Sequence, residues 1–159
     1  MQIHRSTFPN QGDADSTVAR RDLPAEANQS VTFTPIDIGP LSAFAEFPNS
    51  IEAVVSIRAL DSAQLPDDST LTVTIVSADA LVPPALPVPG LLMILDPASE
   101  AVIATLEITG ADGAGSPAQE LRVALWNQPT HRPYVRAKVT SGDGVGDLSE
   151  LWGHFQIVT

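Results

Sequence analysis

Apolar and polar side chains alternate along most of the chain after residue 30, and this period of two predicts β-strands. The pattern is clearest in TLTVTIVSA (70–78), where Leu71, Val73 and Ile75 fall on one side and three threonines on the other. We therefore expect strands with one buried and one solvent-facing side. The remaining predicted strands are 31–36, 51–59, 91–96, 101–109, 120–126, 134–140 and 151–159.

Two of these strands carry specific expectations about burial. In the strand at 101–109, the alternation places Val102, Ala104, Leu106 and Ile108 towards the core. The segment LLMILD (91–96) is a continuous apolar run, which is typical of a strand buried on both faces. A proline-rich stretch, 82–90, precedes it. We interpret this stretch as a stiff loop leading into the strand, and the alternative is an extended ligand for an aromatic groove.

Turn-forming residues separate the predicted strands at short intervals, as in LPDDS (65–69) and DPAS (96–99). About eight strands with such turns predict an all-β fold, an antiparallel β-sandwich of jelly-roll type. Residues 1–29 are polar and show neither a helical nor a strand period. They predict an extended N-terminal arm, with the sandwich domain spanning 30–159. The arm either packs on its own domain or reaches a neighbouring subunit.

Charge and composition restrict the partners of the chain. Eight basic and 19 acidic residues give a formal net charge of −11, which disfavours direct binding to nucleic acid or to an anionic membrane surface. The start of the chain is polar, and prolines interrupt its longest apolar stretch, 80–95, so neither a secretory signal nor a membrane span is expected. Because the chain has no cysteine, disulfides and thiol nucleophiles are excluded.

Motifs that carry chemistry are absent from the sequence. The three histidines, His4, His131 and His154, are too far apart to form a metal-ligand motif. The loop 142–147 (GDGVGD) resembles a cation loop, but its glycines are more typical of a hairpin connection. We therefore expect a protein that is not an enzyme and that uses no cofactor or metal. The tryptophans, Trp126 and Trp152, are expected in the core or at an interface.

Positive charge is concentrated on one predicted strand. Arg132, Arg136 and Lys138 lie within seven positions, with Tyr134 between them, and Lys138 is the only lysine of the chain. One interpretation is an outer sheet face that pairs with acidic side chains of a neighbouring strand. The other is a contact face for an acidic partner surface. Together with the arginines of the arm, the candidate partner-binding residues are Arg20, Arg21, Arg132, Tyr134, Arg136 and Lys138.

The segments SPAQELRVAL (116–125) and RPYVRAKVT (132–140), followed by a glycine-rich turn, resemble structural proteins of tailed bacteriophages. They are similar to the small β-sandwich head proteins called cement or decoration proteins. The resemblance implies a virion protein that binds the exterior of the assembled capsid, with the major capsid protein as its partner. It also implies a homo-oligomer, with a trimer favoured, and assembly in the host cytoplasm.

Two other functions remain open on the sequence. A carbohydrate-binding or receptor-binding β-sandwich would be favoured by an exposed tryptophan in a shallow groove or by calcium at residues 143–147. A hydrolase on a β scaffold would be favoured by paired carboxylates in a pocket, one of them with a raised pKa.

Overall fold

A computed structural model describes residues 18–38, 52–86, 93–125 and 132–158. All regular structure within these ranges is β-strand, so the prediction of an all-β fold is confirmed. No helix of the described part is long and apolar enough to cross a membrane. The strands are β1 (Val18–Asp22), β2 (Ser30–Thr32), β3 (Ile36–Asp37), β4 (Glu52–Ile57), β5 (Thr70–Ala78), β6 (Leu81–Val82), β7 (Ile94–Leu95), β8 (Ala101–Thr109), β9 (Gln119–Ala124), β10 (Tyr134–Ser141) and β11 (Trp152–Val158).

Nine of these strands form the two layers of an antiparallel sandwich. Sheet A has the order β1-β11-β4-β9, and sheet B has the order β2-β10-β5-β8, with the short β3 also pairing with β10. The chain passes repeatedly from one sheet to the other, and this strand order is that of a jelly roll. The remaining pair, β6 and β7, forms a separate short hairpin.

The core lies between the two sheets and is built from alternate side chains. In β10, for example, Val135, Ala137 and Val139 are buried while the residues between them are partly exposed. Phe33 and Phe155 meet edge to face across the core, with ring centroids 6.3 Å apart. The alternation seen in the sequence therefore predicts most of the buried face correctly.

Four connections between the sheets meet at one end of the sandwich, which we call the loop end. They comprise residues 23–29, 58–69, 110–118 and 142–151. Hydrogen bonds join them, between Asn28 and Asp143 (2.6 Å), Gly113 and Asp67 (2.9 Å), Gly146 and Gln64 (2.9 Å), and Leu148 and Pro24 (3.1 Å). Residues 142–151 connect β10 in sheet B to β11 in sheet A, so the expected hairpin at 142–147 is wrong.

The last part of the predicted arm differs from the expectation. Val18–Asp22 forms β1, which pairs with β11 in antiparallel register, and Leu23 is buried in the core. The strand has five residues and three of its side chains are charged, so it shows no apolar alternation. Residues 1–17 lie outside the described residues.

Three other expectations need correction. In the described part of the run 91–96, which begins at Met93, only Ile94–Leu95 is strand and Met93 is exposed, so this part is not a strand buried on both faces. Residues 91 and 92 lie outside the described residues. The predicted strand 31–36 is divided into β2 and β3, since the proline at position 35 cannot donate a backbone hydrogen bond. In β8, the register with β5 shifts at one point, which turns Val102 outward and leaves it 62% exposed.

Candidate functional site

The predicted basic strand is β10, which lies between β2 and β5 in sheet B. Its outward row consists of Tyr134, Arg136, Lys138 and Thr140, all partly exposed. The structure therefore brings the predicted residues of this strand together on one face. Arg20 and Arg21 lie on β1 of sheet A and do not belong to that face. Arg21 is exposed, and Arg20 pairs through its backbone with His154.

The arginines near this row pair with carboxylates of their own domain. Arg136 Nη2 donates to Glu100 Oε2 at 2.8 Å, and the two side chains are only 15% and 28% exposed. Arg132 Nε lies 3.4 Å from Asp79 Oδ1. Glu100 directly precedes β8, and Asp79 directly follows β5. Of the two interpretations of the basic strand, pairing with neighbouring acidic residues describes both arginines.

Tyr134 has a packing role on the outer side of sheet B. It contacts a small apolar cluster formed by Val76, Ala78, Leu81 and Leu95. Leu81 and Leu95 belong to the β6–β7 hairpin, so this hairpin covers one end of the outward row of β10. The apolar run preceding residue 96 thus contributes to a second, smaller core.

Lys138 lies in the middle of a face that is rich in threonine. Its neighbours across the sheet are Thr32 on β2 and Thr74 on β5. Its side chain has no acidic partner among the described residues. Lys138 is therefore the member of the outward row whose charge is most available to another molecule.

Sheet A presents a different feature, a groove near the loop end. The rings of Trp152 and His154 stack with centroids 4.3 Å apart and planes inclined by 28°. Arg58 Cζ lies 5.7 Å from the centroid of the Trp152 ring. The rings and the guanidinium line a groove of about 280 Å³, which we call the Trp152 groove. Its other lining residues are Ser56, Ile57, Ala118, Gln119 and Glu120.

Strand register explains why a depression forms at this place. Trp152 and His154 are alternate residues of β11 and therefore project from the same side of sheet A. On β4, Ser56 lies opposite His154, and on β9, Glu120 lies opposite Ser56. The small side chain of Ser56 thus separates a wall of rings from a wall of polar groups. The alternation at 152 and 154 was the available sequence signal, but neither residue was predicted to line a groove.

An ion-pair network holds the polar wall. Arg122 Nη1 donates to Glu52 Oε2 at 2.5 Å, and Arg122 Nη2 donates to Glu120 Oε1 at 2.8 Å. The hydrogen bond to Glu52, and to a smaller extent the one to Glu120, raises the pKa of the Arg122 guanidinium above its ordinary value. Ser56 Oγ also donates to Glu120 Oε2, at 3.4 Å. The carboxylate of Glu120 is therefore oriented by its neighbours at the rim of the Trp152 groove.

The acidic loop at 142–147 shows local hydrogen bonds. Asp143 accepts from Asn28, and Asp147 accepts from the backbone N–H of Ser149 at 2.8 Å. The described residues include no group of three or more histidine, aspartate or glutamate side chains placed to hold a metal ion. His4, His131 and Trp126 lie outside the described residues.

No protein-family model matches the chain. No similar protein was found among the curated proteins. Among solved structures, the chain is similar to a chain in the X-ray crystal structure of tomato aspermy virus, with 16% sequence identity and a TM-score of 0.42. That alignment covers 99% of the present chain and 79% of the viral one. The strand order places the protein in the class of jelly-roll β-sandwich proteins.

Proposed function

We propose that the protein is a virion structural protein that binds an assembled capsid shell and stabilises it, as a decoration or cement protein does. Its partner is the major capsid protein on the shell exterior, and its function is mechanical. The jelly roll supports this proposal, because viral capsid domains use this architecture. The resemblance to tailed-bacteriophage head proteins adds support. The two segments that carry this resemblance contain β9 of sheet A and most of β10 of sheet B.

The observation that carries the proposal is the outer face of sheet B. Beyond the part that the β6–β7 hairpin covers, this face carries short hydroxyl side chains around Lys138. In a chain of net charge −11, a cation that makes no ion pair within the described residues suits contact with an acidic protein surface. The threonines of this face are Thr32, Thr72, Thr74, Thr105 and Thr140.

Binding to the shell can stabilise it by mass action. A protein that binds the assembled shell, but not its loose subunits, shifts the equilibrium towards the assembled state. Each copy needs only modest affinity if many copies bind one shell. An oligomer of any size would supply several contacts at once.

The test is velocity sedimentation of the protein from its native source, with the Lys138→Glu variant beside it. Co-migration of the unmodified protein with megadalton particles is expected, together with a loss of about tenfold or more in bound Lys138→Glu. Thr74→Ser on the same face is the matched control and should bind normally. If the unmodified protein sediments only as a free species of tens of kilodaltons, the proposal is wrong.

A second candidate function is binding of a carbohydrate or a receptor, and the Trp152 groove favours it. Aromatic side chains with a few convergent polar groups are typical of ligand sites, and lectin domains also use the jelly roll. Here Trp152 and His154 supply the rings, while Arg58, Gln119 and Glu120 supply hydrogen-bonding groups.

A glycan array tests this second function, with Trp152→Ala compared with Gln156→Ala. Gln156 lies on the same strand but does not line the groove. Binding that Trp152→Ala abolishes and Gln156→Ala keeps would support a saccharide site. In a Trp126→Phe background, the fluorescence of Trp152 would report ligand entry directly, and an unchanged spectrum with every bound glycan would exclude the groove.

A further inference from the structure

The four lateral edges of the sandwich differ in how strongly they discourage pairing with another strand. Proteins protect exposed edges with charged side chains, proline, short strands or bulges. In sheet A, β1 has five residues and three charges, and β9 is a six-residue strand that carries Glu120 and Arg122. In sheet B, the β2–β3 edge consists of two short pieces separated at Pro35.

Strand β8 is the longest of these edges, and its protection consists of a bulge in its first half and one charged side chain. It has nine residues, Ala101–Thr109, with neither proline nor a basic residue, and Glu107 is its only charged side chain. Within the described residues it pairs with β5 on one side only. The register shift opposite Ile75 and Val76 affects its first half, so residues 104–109 form the regular part of the edge.

Apolar side chains along β8 are incompletely buried, as they also are on the edge strand β9. Val102 is 62% exposed, and Ile103, Ala104 and Leu106 are only partly buried although they pack against the main core. Apolar surface therefore continues to the rim of the sandwich at this edge. Another strand placed here would cover this surface and would also satisfy the backbone groups of β8 that have no partner within the described residues.

We propose that a second copy of this chain pairs its own β8 with this edge, in antiparallel orientation about a two-fold axis. The two copies of sheet B then form one continuous sheet. A two-fold contact of this kind uses the same surface on both copies and closes as a dimer. The proposal is independent of the capsid-binding function, and it predicts a dimer in place of the trimer that the resemblance implies.

The side chains select one register for this pairing. Core-facing residues must lie opposite core-facing residues, so the two-fold axis passes through a residue position. An axis at Glu107 would place two carboxylates directly opposite each other, and an axis at Thr105 would bring the irregular Ile103 into the ladder. An axis at Leu106 keeps the two Glu107 carboxylates from lying directly opposite each other, and it allows a ladder of residues 104–108 that excludes Ile103. It pairs Leu106 with its own counterpart and Thr105 with Glu107 of the second copy.

A second copy suits this edge because the composition of β8 makes the strand complementary to itself. The contact consists of neutral side chains apart from Glu107, so the net charge of −11 is carried almost entirely by other surfaces. In the Leu106 register, each side chain of one copy lies opposite a compatible side chain of the other copy. Leucine meets leucine on the core side, and a hydroxyl meets a carboxylate on the outer side.

The experiment is sedimentation equilibrium of the full chain over a range of concentrations, with charge variants at the edge. Thr105→Glu places carboxylates opposite one another and should weaken the dimer by about tenfold or more. Thr105→Lys places an ammonium group opposite Glu107 and should tighten it. Thr74→Glu is the matched control, because it makes the same charge change one strand away from the edge.

Each outcome decides the proposal, provided that circular dichroism shows every variant folded. A dimer that responds to Thr105 in both directions and ignores Thr74→Glu supports edge pairing in the Leu106 register. A monomer at every concentration, a trimer, or a dimer equally affected by both glutamate variants would overturn it.

Discussion

Strands β10 and β11 occupy equivalent inner positions in the two sheets, and both bury every second side chain. Their outward rows nevertheless differ. On β10, Arg136 pairs with Glu100 and Tyr134 packs under the β6–β7 hairpin. On β11, the rings of Trp152 and His154 stack on each other and border an open groove.

This difference shows that alternation determines which side chains of a strand are buried, but it does not determine what the outward side chains contact. The basic side chains near β10 look like a binding surface in the sequence, yet two of the three pair with carboxylates of their own domain. The row on β11 looks ordinary in the sequence and forms the groove. What decides the role of an outward side chain is its cross-strand neighbour, which only the strand order supplies.

The largest expected effect comes from removing the apolar contact that fixes the β10 row. Leu95 is 1% exposed and packs in the small cluster with Tyr134. Leu95→Ala should leave a cavity and lower the free energy of unfolding by about 2–5 kcal/mol. Urea denaturation measures the change. Leu86→Ala is the control, because Leu86 lies between β6 and β7 in the sequence and is 78% exposed.

Equal losses for Leu95→Ala and Leu86→Ala would contradict this assignment of the hairpin to the fold of sheet B. A loss for Leu95→Ala alone would show that the hairpin is part of the folded domain. It would also separate the structural role of Tyr134 from the binding role predicted from the sequence.

A smaller effect is expected from the ion pairs on the two outer faces. Arg136→Gln removes a largely buried partner of Glu100 and should destabilise the protein by about 1–3 kcal/mol. Arg122→Gln on sheet A removes an arginine that is 47% exposed, so solvent should compensate and the change should be smaller. The comparison uses the shift of the urea midpoint for each variant. A larger shift for Arg122→Gln would reverse the contrast between the faces.

Much of the fold was predictable from the sequence because strand burial is a local pattern. The strands β5, β8 and β10 lie where the alternation predicts them, and the class of sandwich follows from their number and spacing. The bulge in β8 was not predictable, since one extra residue leaves no mark in the alternation before it. The short β1 and the position of the β6–β7 hairpin depend on contacts with strands far away in the sequence.

The candidate sites were less predictable for the same reason. The positive charge of Arg132 and Arg136 predicts a partner-binding role. Their carboxylate partners, however, lie 53 and 36 positions earlier in the sequence. The Trp152 groove requires β11, β4 and β9 to be adjacent and in a particular register. The alternation in a single sequence does not indicate which strands are adjacent or in which register they pair.

The smallest effect on stability is expected from Asp147, which lies in the connection between β10 and β11. Hydrogen bonds from the hydroxyl and the backbone N–H of Ser149 lower the pKa of Asp147 below its ordinary value. A carboxylate with a lowered pKa in the folded state adds stability above its unfolded pKa, and this contribution is lost as the pH falls through the lowered value. Asp147→Asn should therefore reduce the urea midpoint slightly at about pH 7, and this difference should shrink as the pH is lowered towards about 2. Ser149→Ala keeps the backbone bond, so its effect should be smaller still. A difference between Asp147→Asn and the unmodified protein that is the same at both pH values would show that the ionised carboxylate contributes nothing to this loop.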